Sequence, residues 1–210
     1  MYPFIKYLLQ RSEKMKKRIN KKDAATIFNP VMYLVVLLLT AQLLILFVEY
    51  KRVAWVSGTV TNAMTDALLG ACVLNEEELY RYGSSDELEI LYPREKYDIF
   101  RNILVKELGL TETLMTSENS IALLQGQLRI TDFLVYSVRK EDVTVYDFDE
   151  QGEYSTSKLS AVRGILETEN GRYIEETTLV AEIGFTVEFM GMPVEVKKYH
   201  MVDVAKNAGR

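Results

Sequence analysis

Residues 31–48 read VMYLVVLLLTAQLLILFV, eighteen residues without a charge and with only Thr40 and Gln42 polar. At 1.5 Å per residue a helix of this length covers about 27 Å, close to the thickness of a bilayer's hydrocarbon core. No other stretch limits the fold so strongly. In lipid a lone segment can satisfy its backbone polar groups only as a helix. Residues 24–28 and Tyr50 extend the span at its ends. Two helix starts fit: Asn29 as N-cap with Pro30 at the first helical position, or Asp23 as the start with Pro30 one turn inside.

Charge gives the span a direction. Residues 1–23 carry eight basic residues (Lys6, Arg11, Lys14, Lys16, Lys17, Arg18, Lys21 and Lys22) against Glu13 and Asp23, a net +6, while the whole chain is at −5. The remainder is therefore at −11. Read alone, the basic block resembles a nucleic-acid arm. Directly before a long apolar run it is a topology signal that keeps the N-terminus in the cytoplasm. A cleaved signal peptide would have a shorter apolar region followed by small residues. Here Glu49-Tyr50-Lys51-Arg52 follows, so the expectation is a retained anchor with the rest of the chain outside.

Beyond Arg52 the apolar positions are Val53, Val56, Val60, Ala63, Met64, Ala67, Leu68, Ala71 and Leu74. Their steps of three and four mark one helix face, so the spacing predicts one helix from Pro30 to Leu74. Ala54, Ser57, Gly58, Thr59, Ala63, Ala67, Gly70 and Ala71 make its outer half rich in small residues, which let another element approach closely. That element is either the chain's own domain or a neighbouring copy. Gln42, an amide amid hydrocarbon, either finds an interhelical partner or bonds back along its own helix. Gln42, Ala63, Ala67, Gly70 and Ala71 are the candidate helix-packing residues.

Past residue 75 the pattern is that of an α+β domain. Tyr97, Phe100, Ile103, Leu104 and Leu108 share a face of a helix over 94–108, with Gly109 as its stop. From Leu128 the texture changes to period two. Leu128, Ile130, Leu134, Tyr136 and Val138 alternate with Arg129, Thr131, Phe133, Val135 and Ser137, which predicts a strand with one strongly apolar face. A turn over 139–142 returns it through residues 143–146. Asn170-Gly171 signals a hairpin, residues 177–189 a long strand, and residues 190–193 a turn into a last strand over 194–204. The expected sheet is antiparallel, with four to six strands. The organisation is thus a basic cytoplasmic tail (1–23), a transmembrane signal-anchor helix (24–52), an extracytoplasmic helical extension (53–74) and one α+β domain (75–210).

Catalytic chemistry finds little to build on. One cysteine, Cys72, excludes an intrachain disulfide and a cysteine-based zinc cluster, and one histidine, His200, excludes a multi-histidine metal site. Asp147-Phe148-Asp149-Glu150-Gln151-Gly152 opens like a calcium loop, but its twelfth position is Lys158 where a bidentate glutamate is required. An exposed acidic turn accounts for the run. His200 reads as a strand position and Cys72 as a small packing residue. No glycine-rich phosphate loop, G-x-S-x-G or H-E-x-x-H is present. No enzyme activity, cofactor, metal or nucleic-acid partner is expected.

Ala24-Ala25, Pro30, the long apolar run, Glu49-x-x-Arg52, Val60-x-Asn62-Ala63 and the alanine-rich helix to Ala71 together resemble the TadE-like proteins of tight-adherence pilus systems. These are similar to type IVb pilins, with a basic leader, an outward-running apolar helix and a small globular head. The resemblance covers about 50 residues, the N-terminal quarter to third of the chain. Where that family carries a glutamate shortly after the double alanine, this chain has Ile27-Phe28, and no glycine stands before the span. The resemblance implies a non-catalytic minor pilin or pseudopilin, a subunit or accessory component of a surface pilus or secretion apparatus. Its partners would be the bilayer and other envelope proteins met through the N-terminal helix. The alternative function is an anchored extracytoplasmic ligand-binding or sensor module.

Overall fold

The computed structural model of the chain describes residues 2–85, 88–118, 120 and 124–204, with side chains from residue 30 onward other than those of Ser84 and Ser85. The chain divides into two compact units, Met1–Tyr50 and Lys51–Arg210. A single helix, α1 (Tyr2–Ala71), supplies the first unit and the opening of the second. Neither Asp23 nor Asn29 starts it: both lie within the helix, and so does Pro30. The reason is local. Between Pro3 and Pro30 the sequence has no glycine or proline, and more than half of its residues are Lys, Arg, Leu, Ala, Met, Gln or Glu, all good helix formers.

In the first unit the apolar stretch of α1 has a mean hydropathy of 2.7 and none of it is buried. Among the described residues this is one helix long and apolar enough to cross a membrane. Thr40 donates from Oγ1 to the Leu37 carbonyl at 2.9 Å, so its hydroxyl is satisfied by its own helix.

In the second unit the α1 pattern holds as expected. Val56, Val60, Ala63, Met64, Ala67, Leu68 and Ala71 are buried, and Val53 and Leu74 pack partly against the same core. The helix stops at Ala71, one turn short of the expected Leu74, and Cys72 closes it through N–H bonds to the Leu68 and Leu69 carbonyls. Two helices follow: α2 (Glu76–Ser85), which the apolar spacing had not announced, and α3 (Pro93–Leu108). The α3 helix ends as predicted, with Gly109 at φ 62, ψ 34 donating to the Val105 and Lys106 carbonyls. That left-handed conformation is one glycine adopts without a Cβ penalty.

Five strands form one antiparallel sheet: β1 (Leu124–Arg139), β2 (Asp142–Phe148), β3 (Tyr154–Leu159), β4 (Thr178–Phe189) and β5 (Met192–Asp203). Their order is β3-β2-β1-β4-β5. The β4–β5 turn is tighter than expected. Phe189 pairs with Met192, leaving Met190 (φ 52) and Gly191 (φ 77) as a two-residue loop with both φ positive, the turn that suits strand twist. Pro193 then sits in β5 at the sheet edge, where its missing N–H disturbs only one ladder. Asn170-Gly171 makes a turn, but it closes only the isolated bridge between Glu167 and Tyr173 inside the β3–β4 connection.

The expected single apolar face of β1 is corrected by a bulge. Ile130 pairs with Ile183 but Asp132 pairs with Glu182, so Thr131 is an extra residue and the alternation changes phase there. Leu128 and Ile130 therefore share the main core with Phe133 and Val135. Leu134, Tyr136 and Val138 point into a smaller cluster with Val143, Val180 and Ile174. The main core collects α1, α3 and one sheet face. The smaller one is closed by Val162, Leu166 and Ile174 from the β3–β4 connection.

Candidate functional site

The small residues of α1 come first, because they carried the expectation of a packing seam. Ala67 and Ala71 are fully buried and Ala63 is 5% exposed. A Cβ built on Gly70 would run into the Cδ1 of Ile103 on α3. The seam exists, and the element it admits is the chain's own α3 and core. On the opposite face of the same stretch Trp55 and Leu69 are exposed, at 59% and 50%.

At the end of α1 lies a buried ion pair that spacing alone did not single out. Lys96 of α3 and Glu78 of α2 have side chains 1% and 0% exposed, and Lys96 Nζ stands 2.8 Å from Glu78 Oε2. The carboxylate also accepts from the Asn75 N–H at 3.2 Å and the Leu91 N–H at 3.0 Å. Asn75 returns the bond, its Oδ1 accepting from the Glu78 N–H at 2.9 Å. This is a capping box, with asparagine as N-cap and glutamate at the third helical position. Lys96 Nζ donates in addition to the carbonyl of Val73 at 2.7 Å, just past the end of α1. One carboxylate and one ammonium thus join the exit of α1, the start of α2, the segment after α2 and α3. A charged pair that loses its water needs further hydrogen bonds to hold it, and here the carboxylate accepts from Lys96 and two backbone N–H groups while the ammonium donates to Glu78 and Val73. The signal was legible as Asn75-Glu76-Glu77-Glu78, an N-cap with an acidic first turn. Lys96 was not legible, because it stands beside Tyr97 in a helix whose apolar stripe gave no reason to bury a lysine.

An outer bond supports this junction. Tyr92 Oη donates to Glu77 Oε2 at 2.5 Å; this bond and the Arg81 guanidinium hold the Glu77 carboxyl below its ordinary range, and the bond to Glu77 holds the Tyr92 phenol above its own.

The other candidates are dispersed. Gln42 is exposed in the middle of the apolar stretch of α1. Cys72 is half-buried against the core, and burial pushes its thiol up to about 11, so it is a neutral packing group at physiological pH. His200 is half-buried on β5 opposite Ala181. The acidic run forms the β2–β3 turn, where Asp149 Oδ1 accepts from the N–H groups of Gln151 and Glu153 at 2.9 and 2.8 Å. Its glycine has a structural task. Gly152 sits at φ +79 under Tyr97, and a Cβ there would lie 2.7 Å from Tyr97 Cε1. Tyr97 in turn stacks on Phe148, with centroids 5.0 Å apart.

An open depression of about 620 Å³ beside this turn is lined by Asp132, Asp147, Glu150, Glu153 and Tyr154 among others. Partial burial, then the charges of Glu182 and Asp147, raise the Asp132 carboxyl above its ordinary range. No Ser, Cys or His lines it in company with a base except Ser155, on an exposed edge strand. Among the described residues no group of three His, Cys, Asp or Glu is placed to hold a metal ion. What the side chains build is a helix–domain junction and an exposed apolar helix. No family model, curated protein or solved structure matches the chain.

Proposed function

We propose that the chain is a non-catalytic, membrane-anchored subunit of pilin-like type, an accessory component of a surface appendage or secretion apparatus. The observation that carries this reading is that α1 supplies two things at once. It contributes an apolar stretch with no intramolecular cover and, one to two turns on, the buried helix of a small α+β head. A subunit that assembles through its N-terminal helix needs both. The TadE-like pattern from Ala24-Ala25 to Ala71 supports the same plan, and the charge split across the span supports a cytoplasmic N-terminus with an extracytoplasmic head. Gln42 is the polar group in the span that would favour a neighbouring helix, for about 0.6–2 kcal/mol.

Site-specific photocrosslinking tests this in intact cells. A photoreactive residue at Ala41 or Leu43, flanking Gln42, is expected to trap adducts with a second copy or with other single-span envelope proteins. Persistence of the 24.1 kDa monomer alone at both positions, with soluble ligands captured at the head instead, would overturn the subunit reading. Orientation is read separately with Cys72 replaced by Ser. An impermeant thiol reagent should label Ser155→Cys and spare Ser12→Cys.

A further inference from the structure

We infer that residues 4–19 form a membrane-surface helix that recognises anionic lipid headgroups, rather than acting only as a topology signal. The inference rests on the membrane anchoring proposed above. These residues are helical, as the opening of α1. At 100° per residue, positions 4, 5, 8, 9, 12, 15, 16 and 19 fall in one arc of about 140°. They are Phe4, Ile5, Leu8, Leu9, Ser12, Met15, Lys16 and Ile19, so six of the eight are apolar. The opposite arc holds Lys6, Tyr7, Gln10, Arg11, Glu13, Lys14, Lys17 and Arg18, with five basic residues against one acidic and no aliphatic residue.

A topology signal needs only the charges. It does not need them segregated from an apolar stripe, and segregation is what an in-plane helix requires: apolar residues at the acyl boundary, lysines and arginines among the headgroups. Lys16, at the margin of the apolar arc, has a stem long enough to reach the headgroups. The occupant of this face is fixed by charge and by tethering. The arc ends about a dozen residues before the apolar run of the same helix, so the nearest large surface is the bilayer itself. Its cytoplasmic leaflet is negative, and each nearby Lys or Arg adds roughly fivefold to binding.

The chain also has a place to turn from the surface into the span. Pro30 lies inside α1 and offers no N–H to the carbonyl of Thr26, and its ring disfavours helical geometry at Asn29. Proline is the usual site of a sharp helix kink. A bend over 26–30 puts residues 4–19 in the plane of the membrane and the apolar run across it.

The test uses the full chain with Cys72→Ser and single spin labels. Leu8→Cys and Ile19→Cys report the apolar arc, Gln10→Cys and Lys17→Cys the polar one, and Leu38→Cys the span. Each is reconstituted in vesicles of phosphatidylcholine alone and of phosphatidylcholine mixed with phosphatidylglycerol. Accessibility to oxygen and to a water-soluble nickel chelate gives depth. In mixed vesicles positions 8 and 19 should favour oxygen and positions 10 and 17 nickel. In phosphatidylcholine alone the surface-bound fraction should collapse, by several thousandfold (~3000) in its ratio to the free form for a net five basic charges. Nickel access at all four positions in mixed vesicles, with Leu38→Cys shielded, overturns the surface helix and leaves the anchor standing. An equal depth contrast in both lipids overturns the recognition of anionic headgroups. Nickel access at Leu38→Cys shows instead that the anchoring itself is wrong.

Discussion

Replacing Glu78 with leucine should destabilise the domain more than replacing Lys96 with methionine, and the two changes together should cost less than their sum. Both side chains are essentially excluded from solvent and stand 2.8 Å apart. Glu78→Leu leaves an ammonium buried with the Val73 carbonyl as its one remaining partner, and strips the Asn75 and Leu91 N–H groups of their acceptor. Breaking one side of a buried pair typically costs about 3–5 kcal/mol. Each stranded N–H adds about 1–3 kcal/mol where water cannot reach it. We therefore expect Glu78→Leu to lie at or above the top of the pair range, near 5 kcal/mol. Lys96→Met keeps the volume and leaves the carboxylate still accepting from two backbone N–H groups, so it should fall near the bottom, about 3 kcal/mol.

In the double variant the stranded charge is gone from both sides. The coupling, the amount by which the double falls short of the sum, should reach about 2 kcal/mol, within the range seen for residues in one network. Pulse proteolysis in urea on the full chain in detergent reads the folded fraction of the head without interference from the helical signal of the span. Additivity of the two single changes within about 0.5 kcal/mol would refute the pair as a coupled unit. Equal costs for the two singles would refute the asymmetry drawn from the backbone N–H groups.

Ala67→Leu should cost about 1–3 kcal/mol of head stability by overpacking, whereas Glu77→Gln, on the exposed side of α2, should leave core packing intact; urea midpoints at constant slope decide it. Gly152→Ala should cost about 2–4 kcal/mol, since it combines a positive φ with a Cβ driven into Tyr97, and Gly164→Ala, at φ +69 in open space, isolates the backbone part. On the alkaline side the Cys72 thiol, pushed up to about 11 from 9.0, and the Tyr136 phenol, pushed up to about 12 from 10.0, both hold their protons longer folded than unfolded, and burial is the main cause in each. Stability should thus be intact below about pH 9 and fall as pH rises through about 12, and Tyr136→Phe should flatten the upper part of that fall in a pH series of unfolding midpoints. At neutral pH Cys72 should react with a small thiol reagent far more slowly than a cysteine placed at the exposed Ser155.

The elements that were legible are those whose periodicity runs unbroken. The steps of three and four from Val53 to Ala71 gave the buried face of α1, and the stripe from Tyr97 to Leu108 with Gly109 behind it gave α3 and its end. Periodicity failed where one residue changes its phase. In β1 the string from Leu128 to Val138 reads as continuous alternation, yet Thr131 is looped out and the two halves serve different cores. Nothing in the composition around Thr131 marks the bulge, because Arg129-Ile130-Thr131-Asp132 fits a strand in either register; only the pairing with Ile183 and Glu182 decides it. The Asn170-Gly171 turn formed, but not between two strands of the sheet. The dipeptide reports a local backbone preference, and such a turn closes a bridge inside a connection as readily as it joins two strands of a sheet.

For the candidate site the limit is also physical. Small residues on α1 announced that something comes close, and sequence could not say whether the visitor was internal. The structure answers for the face bearing Ala63, Ala67, Gly70 and Ala71: α3 and the core occupy it. Any association through residues 53–71 must therefore use the other face, where Trp55, Asn62, Asp66 and Leu69 are exposed, and it would have to tolerate their mixed polarity. The apolar run of residues 31–48 faces no such demand, since none of it is covered and Gln42 is free to choose a lipid-buried partner. In the proposed subunit the labour would be divided along one helix. Contacts with neighbouring subunits would fall to residues 31–48, whereas residues 53–71 pack into the head, whose α2 and α3 are joined through Glu78 and Lys96.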